Sequence, residues 1–118
     1  MVMYIKVKSL VGENAMTLDD GAAIYNQIHD PLMQGETVAL DFEGVEVFAS
    51  PFFNAGVGHL LADLQPETLN ERLKFDHLSD FGNRVLRRVI ENAKEYYGSD
   101  PMQRNKIDRI VHENAAVI

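Results

Sequence analysis

Residues 38–64 read VALDFEGVEVFASPFFNAGVGHLLADL, and the fold that the sequence predicts depends on this stretch. Its first part belongs to a run over positions 37–47 in which most residues are apolar or small. In this run Val38 and Leu40 flank the small Ala39. An alternating strand exposed on one face would carry polar residues at every second position, whereas this run carries few. The pattern therefore predicts an interior strand over residues 37–47 that is covered on both faces, with a turn or bulge at Gly44 and Glu46 before Val47 and Phe48.

A helix over residues 51–64 follows this strand. Ser50 has the side chain of an N-cap residue, and Pro51 suits the first helical position because its missing N–H would be unpaired there in any case. Each glycine in a helix costs about 1 kcal/mol relative to alanine, so Gly56 and Gly58 predict close packing of this helix onto a sheet. Its apolar stripe contains Phe53, Val57, Leu60, Leu61 and Leu64.

Strand and helix patterns alternate on both sides of this stretch. Thr17 is predicted to cap a helix that Pro31 ends or kinks. Residues 65–70 are predicted to form a loop or short turn. Ser79 or Asp80 is predicted to cap the helix that follows. Strands alternating with helices imply right-handed crossovers. We therefore predict a small α/β domain with a mainly parallel or mixed sheet and the order β-α-β-α-β-α-α. The remaining predicted elements are strands over 3–10 and 73–78, and helices over 18–32, 79–97 and from residue 100 onward.

The length of 118 residues suits one domain. We place that domain at residues 1–97 and assign residues 98–118 to a C-terminal helix that docks on the domain or on a partner. Because the apolar content of this helix is thin, an alternative function is that of a structural or assembly protein, in which the helix is buried against a second copy as a homodimer or larger homo-oligomer.

Composition excludes several classes of protein. The chain has no cysteine, which removes disulfides, thiolate catalysis and cysteine zinc sites. It has neither a signal-peptide pattern at its start nor an apolar run of about 20 residues, the length that a membrane span needs. These features predict a cytoplasmic protein that does not bind a membrane.

Charge is distributed unevenly along the chain. The net charge is −7, and residues 1–70 hold ten acidic and two basic residues. Such a half repels nucleic-acid phosphates and argues against DNA or RNA as the main ligand, although the same charge also serves solubility. Arg84, Arg87 and Arg88 form a basic patch on the helix over residues 79–97. The patch is either a solvated face paired with Glu91 and Glu95 or a contact for an acidic partner or nucleic acid.

No pattern of catalytic, cofactor-binding or metal-binding residues emerges. His59 and Asp63 have i,i+4 spacing on one helix, as a metal site could, but no second pair of ligands follows. A triad of Ser50, a histidine (His59 or His77) and Asp41 can be imagined, but no Gly-x-Ser-x-Gly turn surrounds the serine. We therefore expect a protein that is not an enzyme and that needs no cofactor or metal.

Two stretches resemble the STAS domain, the module of anti-sigma-factor antagonists and of sulfate-transporter tails. The first stretch matches the family's strand, turn and helix in order. Its apolar strand matches at Val38, Leu40, Asp41 and Phe42, and the residues leading to the turn match at Val45, Val47 and Phe48. The turn itself corresponds to Ala49, Ser50 and Pro51, and the start of the helix corresponds to Asn54, Gly56 and Gly58. The second, residues 75–93, reads FDHLSDFGNRVLRRVIENA and is similar to the next strand and helix of that family. The chain resembles most the bacterial STAS-like branch, whose function is unassigned.

The resemblance implies a regulatory protein-binding module whose partner is an ATPase of the histidine-kinase type. In anti-sigma-factor antagonists the turn docks on the partner, and phosphorylation of a turn serine ends the interaction through repulsion and desolvation. Here Ala49 replaces the usual aspartate, and the phosphorylated serine aligns with Pro51, unless a slip of one residue brings it to Ser50, the predicted modification site. Phe52, beside the buried stripe, is either a partly exposed contact or a core residue. The predicted partner-binding residues are Phe48, Ser50, Pro51, Phe52 and Asn54.

Overall fold

The computed structural model describes residues 2–98 of the chain. Three longer strands alternate with helices in the order β-α-β-α-β-α, as the sequence predicts, and shorter elements lie between them. The predicted helix from residue 100 onward, and with it the homo-oligomer alternative, lies outside the described residues. The elements are β1 (Val2–Lys6), α1 (Val7–Val11), β2 (Asn14–Ala15), α2 (Leu18–Met33), β3 (Thr37–Asp41), β4 (Val47–Phe48), α3 (Ser50–Gly56), a 3-10 helix (Gly58–Ala62), α4 (Pro66–Arg72), β5 (Leu73–Asp76) and α5 (Asp80–Gly98).

The main sheet is parallel and has the strand order β1-β3-β5. β3 is the central strand, with Leu40 opposite Ile5 on one side and Phe75 on the other. A second, two-stranded parallel sheet pairs Ala15 of β2 with Phe48 of β4. The mixed α/β architecture with parallel sheets agrees with the fold class that the sequence predicts.

All three predicted strands extend too far, and the last one, predicted over residues 73–78, ends at Asp76. The first ends at Lys6 because the chain then forms helix α1, which places Val7 in the core at 0% exposure. The strand predicted over residues 37–47 ends at Asp41, where a turn begins in which the Val45 N–H donates to the Phe42 carbonyl. This confirms the turn predicted at Gly44, which at φ +84° supplies the left-handed conformation there.

The three central residues of β3 alternate between the two faces of the sheet and are all buried, as the sequence predicts, whereas the neighbouring strands expose one face in the described part of the chain. Val38 and Leu40 face the core and are fully buried, whereas side chains on the opposite face alternate with them. On that opposite face Tyr4 is 73% exposed and Lys74 is exposed, and they are the register partners of Ala39. Ala39 is nevertheless buried, because a methyl group between two longer side chains needs little cover.

The helix predicted over residues 51–64 is split, and the packing partner of its glycines differs from the prediction. A Cβ on Gly56 would lie 3.2 Å from the carbonyl oxygen of Gly21 on α2, and a Cβ on Gly58 would lie 3.2 Å from Val89 on α5. The glycines therefore allow close approach to two helices rather than to a sheet. Residues 65–70, predicted as a loop, mostly belong to α4, which has Pro66 at its start.

The predicted helix caps at Thr17 and Ser79 are confirmed. The Thr17 hydroxyl accepts a hydrogen bond from the Asp20 N–H at 3.1 Å, and the Ser79 hydroxyl accepts one from the Gly82 N–H at 3.1 Å. Pro31 lies inside α2, which ends two residues later. Among residues 2–98, no helix has both the length and the apolar character needed to cross a membrane.

Replacing Gly21 by alanine tests the packing of α2 against α3. The new Cβ would clash with the backbone oxygen of Phe52 and would lie 2.9 Å from the Ala55 side chain, so the two helices would have to separate. We expect Gly21→Ala to lower the free energy of unfolding by about 3 kcal/mol or more, measured by urea denaturation. Asn26→Ala on the exposed side of α2 should change it by less than about 0.5 kcal/mol; equal effects of the two substitutions would contradict the close contact.

Candidate functional site

A cleft of about 760 Å³ lies where β4 and the first residue of α3 meet α5. The pairing of β2 with β4 positions one wall, residues 48–50, and the first three turns of α5 form the other wall. Gly82 brings the start of α5 close to β4, because a Cβ there would lie 2.6 Å from the Leu78 side chain and 3.3 Å from the ring of Phe48. The cleft is lined by Phe48, Ala49, Ser50, Phe81, Arg84, Val85, Arg87, Arg88 and Glu91.

Three arginines give this cleft a strong positive charge. Arg84, Arg87 and Arg88 are exposed, and all three line the cleft because their i, i+3 and i+4 spacing places them on one side of α5. None of them forms an ion pair or hydrogen bond with another residue in the range 2–98. The predicted pairing with Glu91 and Glu95 is therefore wrong for the described part of the chain.

The other end of the cleft is apolar. Phe81, on the first turn of α5, is 52% exposed, and Val85 one turn later is half-buried. Phe48 lies beneath them at 5% exposure. A half-exposed aromatic ring beside unpaired guanidinium groups is a combination typical of the residues that dominate protein interfaces. The sequence analysis did not single out Phe81, because only the fold brings it to the turn at residues 48–50.

Ser50 does not cap α3, so the predicted N-cap role is wrong. It is the first helical residue, and the cap position is taken by Ala49, whose N–H donates to the Ala15 carbonyl at 3.0 Å and thereby extends the pairing of β2 with β4. The Ser50 hydroxyl is buried and has no hydrogen-bond partner among the described residues. Nothing in the structure tests modification of this buried hydroxyl, so modification of Ser50 stays a prediction.

The five predicted partner-binding residues separate into two groups. Phe48, Ser50 and Phe52 are at most 5% exposed, so of the two interpretations of Phe52 that of a core residue is confirmed and that of a partly exposed contact is wrong. The reason is that α3 contacts α2 on one side and α5 on the other, so that a single apolar stripe does not describe its buried surface. Pro51 is half-buried and Asn54 is exposed. Their role in partner binding stays a prediction.

A second group of polar residues lies where β3 and β5 end. His77 Nδ1 lies 2.8 Å from Asp41 Oδ1, and Asp41 also accepts the Glu43 N–H at 3.0 Å. The latter hydrogen bond, followed by the one with His77, lowers the pKa of Asp41, and the bond to Asp41 raises the pKa of His77. Candidate metal-ligand atoms of Asp41, Glu43 and His77 lie within 4.8 Å of one another. The sequence analysis missed this cluster because its members come from two separate strand ends.

The cluster forms neither the Ser50–His–Asp41 triad considered above nor a strong cation site. Asp41 and His77 are paired, but the Ser50 hydroxyl is bonded to no described histidine. Lys6 and Lys8 line the cavity next to Asp41 and Glu43, so positive charge already surrounds the carboxylates. A cation would have to displace the hydrogen bond of His77 and bind against this charge.

The histidine that pairs with Asp63 is His29 rather than His59. His29 Nε2 lies 2.8 Å from Asp63 Oδ2 and its Nδ1 lies 3.2 Å from Asp30 Oδ1, whereas His59 stacks on Tyr25 with ring centroids 4.5 Å apart. Hydrogen bonds to Asp63 and then to Asp30 raise the pKa of His29. Among the described residues, therefore, His59 and Asp63 do not form an ion pair despite their i,i+4 spacing.

Replacing Ser50 by alanine tests the unpaired hydroxyl. A buried hydroxyl without a partner destabilises the folded state, so Ser50→Ala should raise the free energy of unfolding by about 1 kcal/mol. Ser79→Ala removes a real cap and should lower it by about 1 kcal/mol. Both values come from urea denaturation, and a loss of stability in Ser50→Ala equal to that in Ser79→Ala would contradict the assigned roles.

The pH dependence of stability tests the His29 pair. A pKa raised above its ordinary value of 6.5 gives stability that is complete below pH 6.5 and is lost as the pH rises through the folded-state value. Glutamine cannot be protonated, so His29→Gln should be less stable than the parent protein by a larger margin at pH 5.5 than at pH 9, as measured by thermal unfolding. His59→Gln, which removes no ion pair with a described residue, serves as the control. A margin that does not depend on pH for His29→Gln would contradict the pairing.

Comparisons with known proteins identify a family. The model of the family described as the STAS-like domain of unknown function (DUF4325) matches residues 20–83, more than half of the chain. These residues run from α2 through β3, α3 and β5 to the start of α5, and they include one wall of the cleft. Searches of the curated proteins and of the solved structures found no match. The chain therefore belongs to the family of STAS-like domains of unknown function.

Proposed function

We propose that this protein is a non-enzymatic regulatory module that binds an acidic surface of a partner protein in the cleft between residues 48–50 and α5. The observation that carries the proposal is the set of three exposed arginines that have no partner among the described residues. Left in solvent they contribute little to stability, whereas in an interface guanidinium groups form the strongest hydrogen bonds to carboxylates. The adjacent Phe81 supplies an apolar anchor.

The charge distribution favours a protein over a nucleic acid. The chain has a net charge of −7, and residues 1–70 contain ten acidic residues against two basic ones. A nucleic-acid backbone needs a long basic surface because its charges repeat along its whole length, whereas a compact patch of three arginines suits an acidic segment on a protein. The acidic surface outside the patch repels other anionic partners and so adds specificity.

The regulatory role rests on the family resemblance. In anti-sigma-factor antagonists the turn before the corresponding helix contacts the partner, and here that turn forms one wall of the cleft. By that analogy we propose an ATPase of the histidine-kinase type as the partner. Because Phe48 and Ser50 are buried, most of the contact surface would come from the three arginines, Phe81 and the half-buried Ala49 and Pro51.

Site-specific crosslinking tests this function. A photoreactive amino acid at position 81 should crosslink the partner in cells, and the same group at Ala23 on the exposed side of α2 should not. The crosslinked protein is then purified, and its affinity for the parent chain and for Arg87→Glu is measured by calorimetry.

We expect Arg87→Glu to weaken binding at least tenfold, because it replaces an attraction with a repulsion, and we expect added salt to weaken the parent complex. Lys94→Glu is the matched control, since Lys94 lies on α5 away from this cleft and undergoes the same change of charge. Equal affinities of the parent chain and Arg87→Glu would refute docking at the cleft.

A further inference from the structure

We propose that the arginine end of the cleft binds a phosphorylated side chain of the partner protein. This inference rests on the proposed function and names the chemical group that the cleft recognises. It follows from three observations: the number of unpaired guanidinium groups, the unpartnered hydroxyl in the wall of the cleft, and the apolar surface next to both.

The charge of the cleft matches a phosphate ester better than a carboxylate. Three arginines and one acidic residue, Glu91, line it, and no described residue pairs with the arginines. A carboxylate has a single negative charge and two oxygens, so it would leave most of the guanidinium donors unsatisfied. A phosphate monoester carries a charge of about −1.5 to −2 at pH 7 and three strong acceptor oxygens, so it can bind several arginines at once.

Ser50 adds a polar group that the folded chain leaves without a partner. Its residue is 2% exposed, and its hydroxyl forms no hydrogen bond with any described residue. Such a group destabilises the folded protein unless a ligand completes it. Ser50 lies in the wall opposite the arginines, so a phosphate held by them can accept a hydrogen bond from the hydroxyl once the serine side chain changes rotamer.

The apolar end of the cleft favours a phosphorylated peptide over a free phosphate ion. Phe81 and Val85 stand one turn apart on α5, and Phe81 is 52% exposed. A free ion gains nothing from these side chains, whereas an apolar residue next to a phosphorylated one gains binding free energy from the apolar surface that it buries against them. The arginines bind the phosphate, and the aromatic end binds the flanking residue.

The test uses the blocked peptide acetyl-Leu-phosphoserine-Leu-amide, titrated into the full-length protein and followed by backbone and arginine side-chain NMR shifts. Acetyl-Leu-Ser-Leu-amide and acetyl-Leu-Glu-Leu-amide are the matched peptides, and inorganic phosphate is the ion without an apolar flank. We expect the phosphopeptide to bind at least tenfold more tightly than either matched peptide and more tightly than inorganic phosphate. The shifts should map to residues 48–50 and the first three turns of α5.

Variants distinguish a built site from general attraction between opposite charges. Arg87→Gln should weaken phosphopeptide binding at least fivefold and Ser50→Ala at least threefold, while Lys94→Gln, with the same loss of charge outside the cleft, should leave it unchanged. Binding should also strengthen between pH 5 and pH 7.5, because the second phosphate pKa is about 6. Wild-type affinity in Arg87→Gln or Ser50→Ala, or equal losses in Arg87→Gln and Lys94→Gln, would overturn the proposal.

The outcome is separable from that of the proposed function. If the crosslinked partner binds through Arg87 but the phosphopeptide binds no better than its glutamate analogue, the docking function stands and the phosphate site is refuted. If the phosphopeptide binds at the cleft but position 81 crosslinks no protein, the phosphate site stands and the docking function is refuted. An inorganic phosphate affinity equal to that of the phosphopeptide would identify a free-anion site and overturn recognition of a phosphorylated partner.

Discussion

The close contact between α2 and α3 is the constraint on which the rest of the structure depends. Gly21 lies against the backbone of α3 so closely that no side chain fits between them, and Gly56 allows the same approach from the other helix. This contact presses α3 into the interior, where Phe52 and Phe53 are almost fully buried. Because α5 also packs against α3, the turn at residues 48–50 becomes one wall of a cleft whose other wall is α5.

The cleft combines groups that the remainder of the chain leaves without partners. Its guanidinium groups form no ion pair with any described residue, although Glu91 lines the same cleft and the chain as a whole is acidic, and its buried serine hydroxyl has no hydrogen bond within the described residues. Each feature alone is common on protein surfaces or costs the folded state a little free energy. Their occurrence in one cavity next to an exposed phenylalanine is the reason for assigning recognition of a partner to this place.

The two histidine pairs stabilise parts of the fold outside the cleft, which are called its margins below. His29 connects α2 to Asp63, which follows the 3-10 helix, and His77 connects the ends of β5 and β3 through Asp41. Each pair joins segments that are more than thirty residues apart in sequence. Protonation of these histidines strengthens both connections, so the pairs make the margins sensitive to pH while the charges of the cleft, which are mainly guanidinium groups, stay constant.

The sequence by itself determined the alternation of strands and helices, the caps at Thr17 and Ser79, the long amphipathic helix α5 and the family resemblance. These features depend on residues close together in the chain, so periodicity and capping chemistry reveal them. Tertiary structure alone decided which face of the sheet is covered, that Ala49 and not Ser50 caps α3, that Phe52 is buried, and that His29 rather than His59 meets Asp63. Each of these outcomes depends on a segment that is distant in sequence. For example, the Ala49 N–H donates a hydrogen bond to the carbonyl of Ala15 on β2. Local sequence carries no record of which distant segment will supply the neighbouring surface, and that surface decides whether a side chain becomes core, cap or contact.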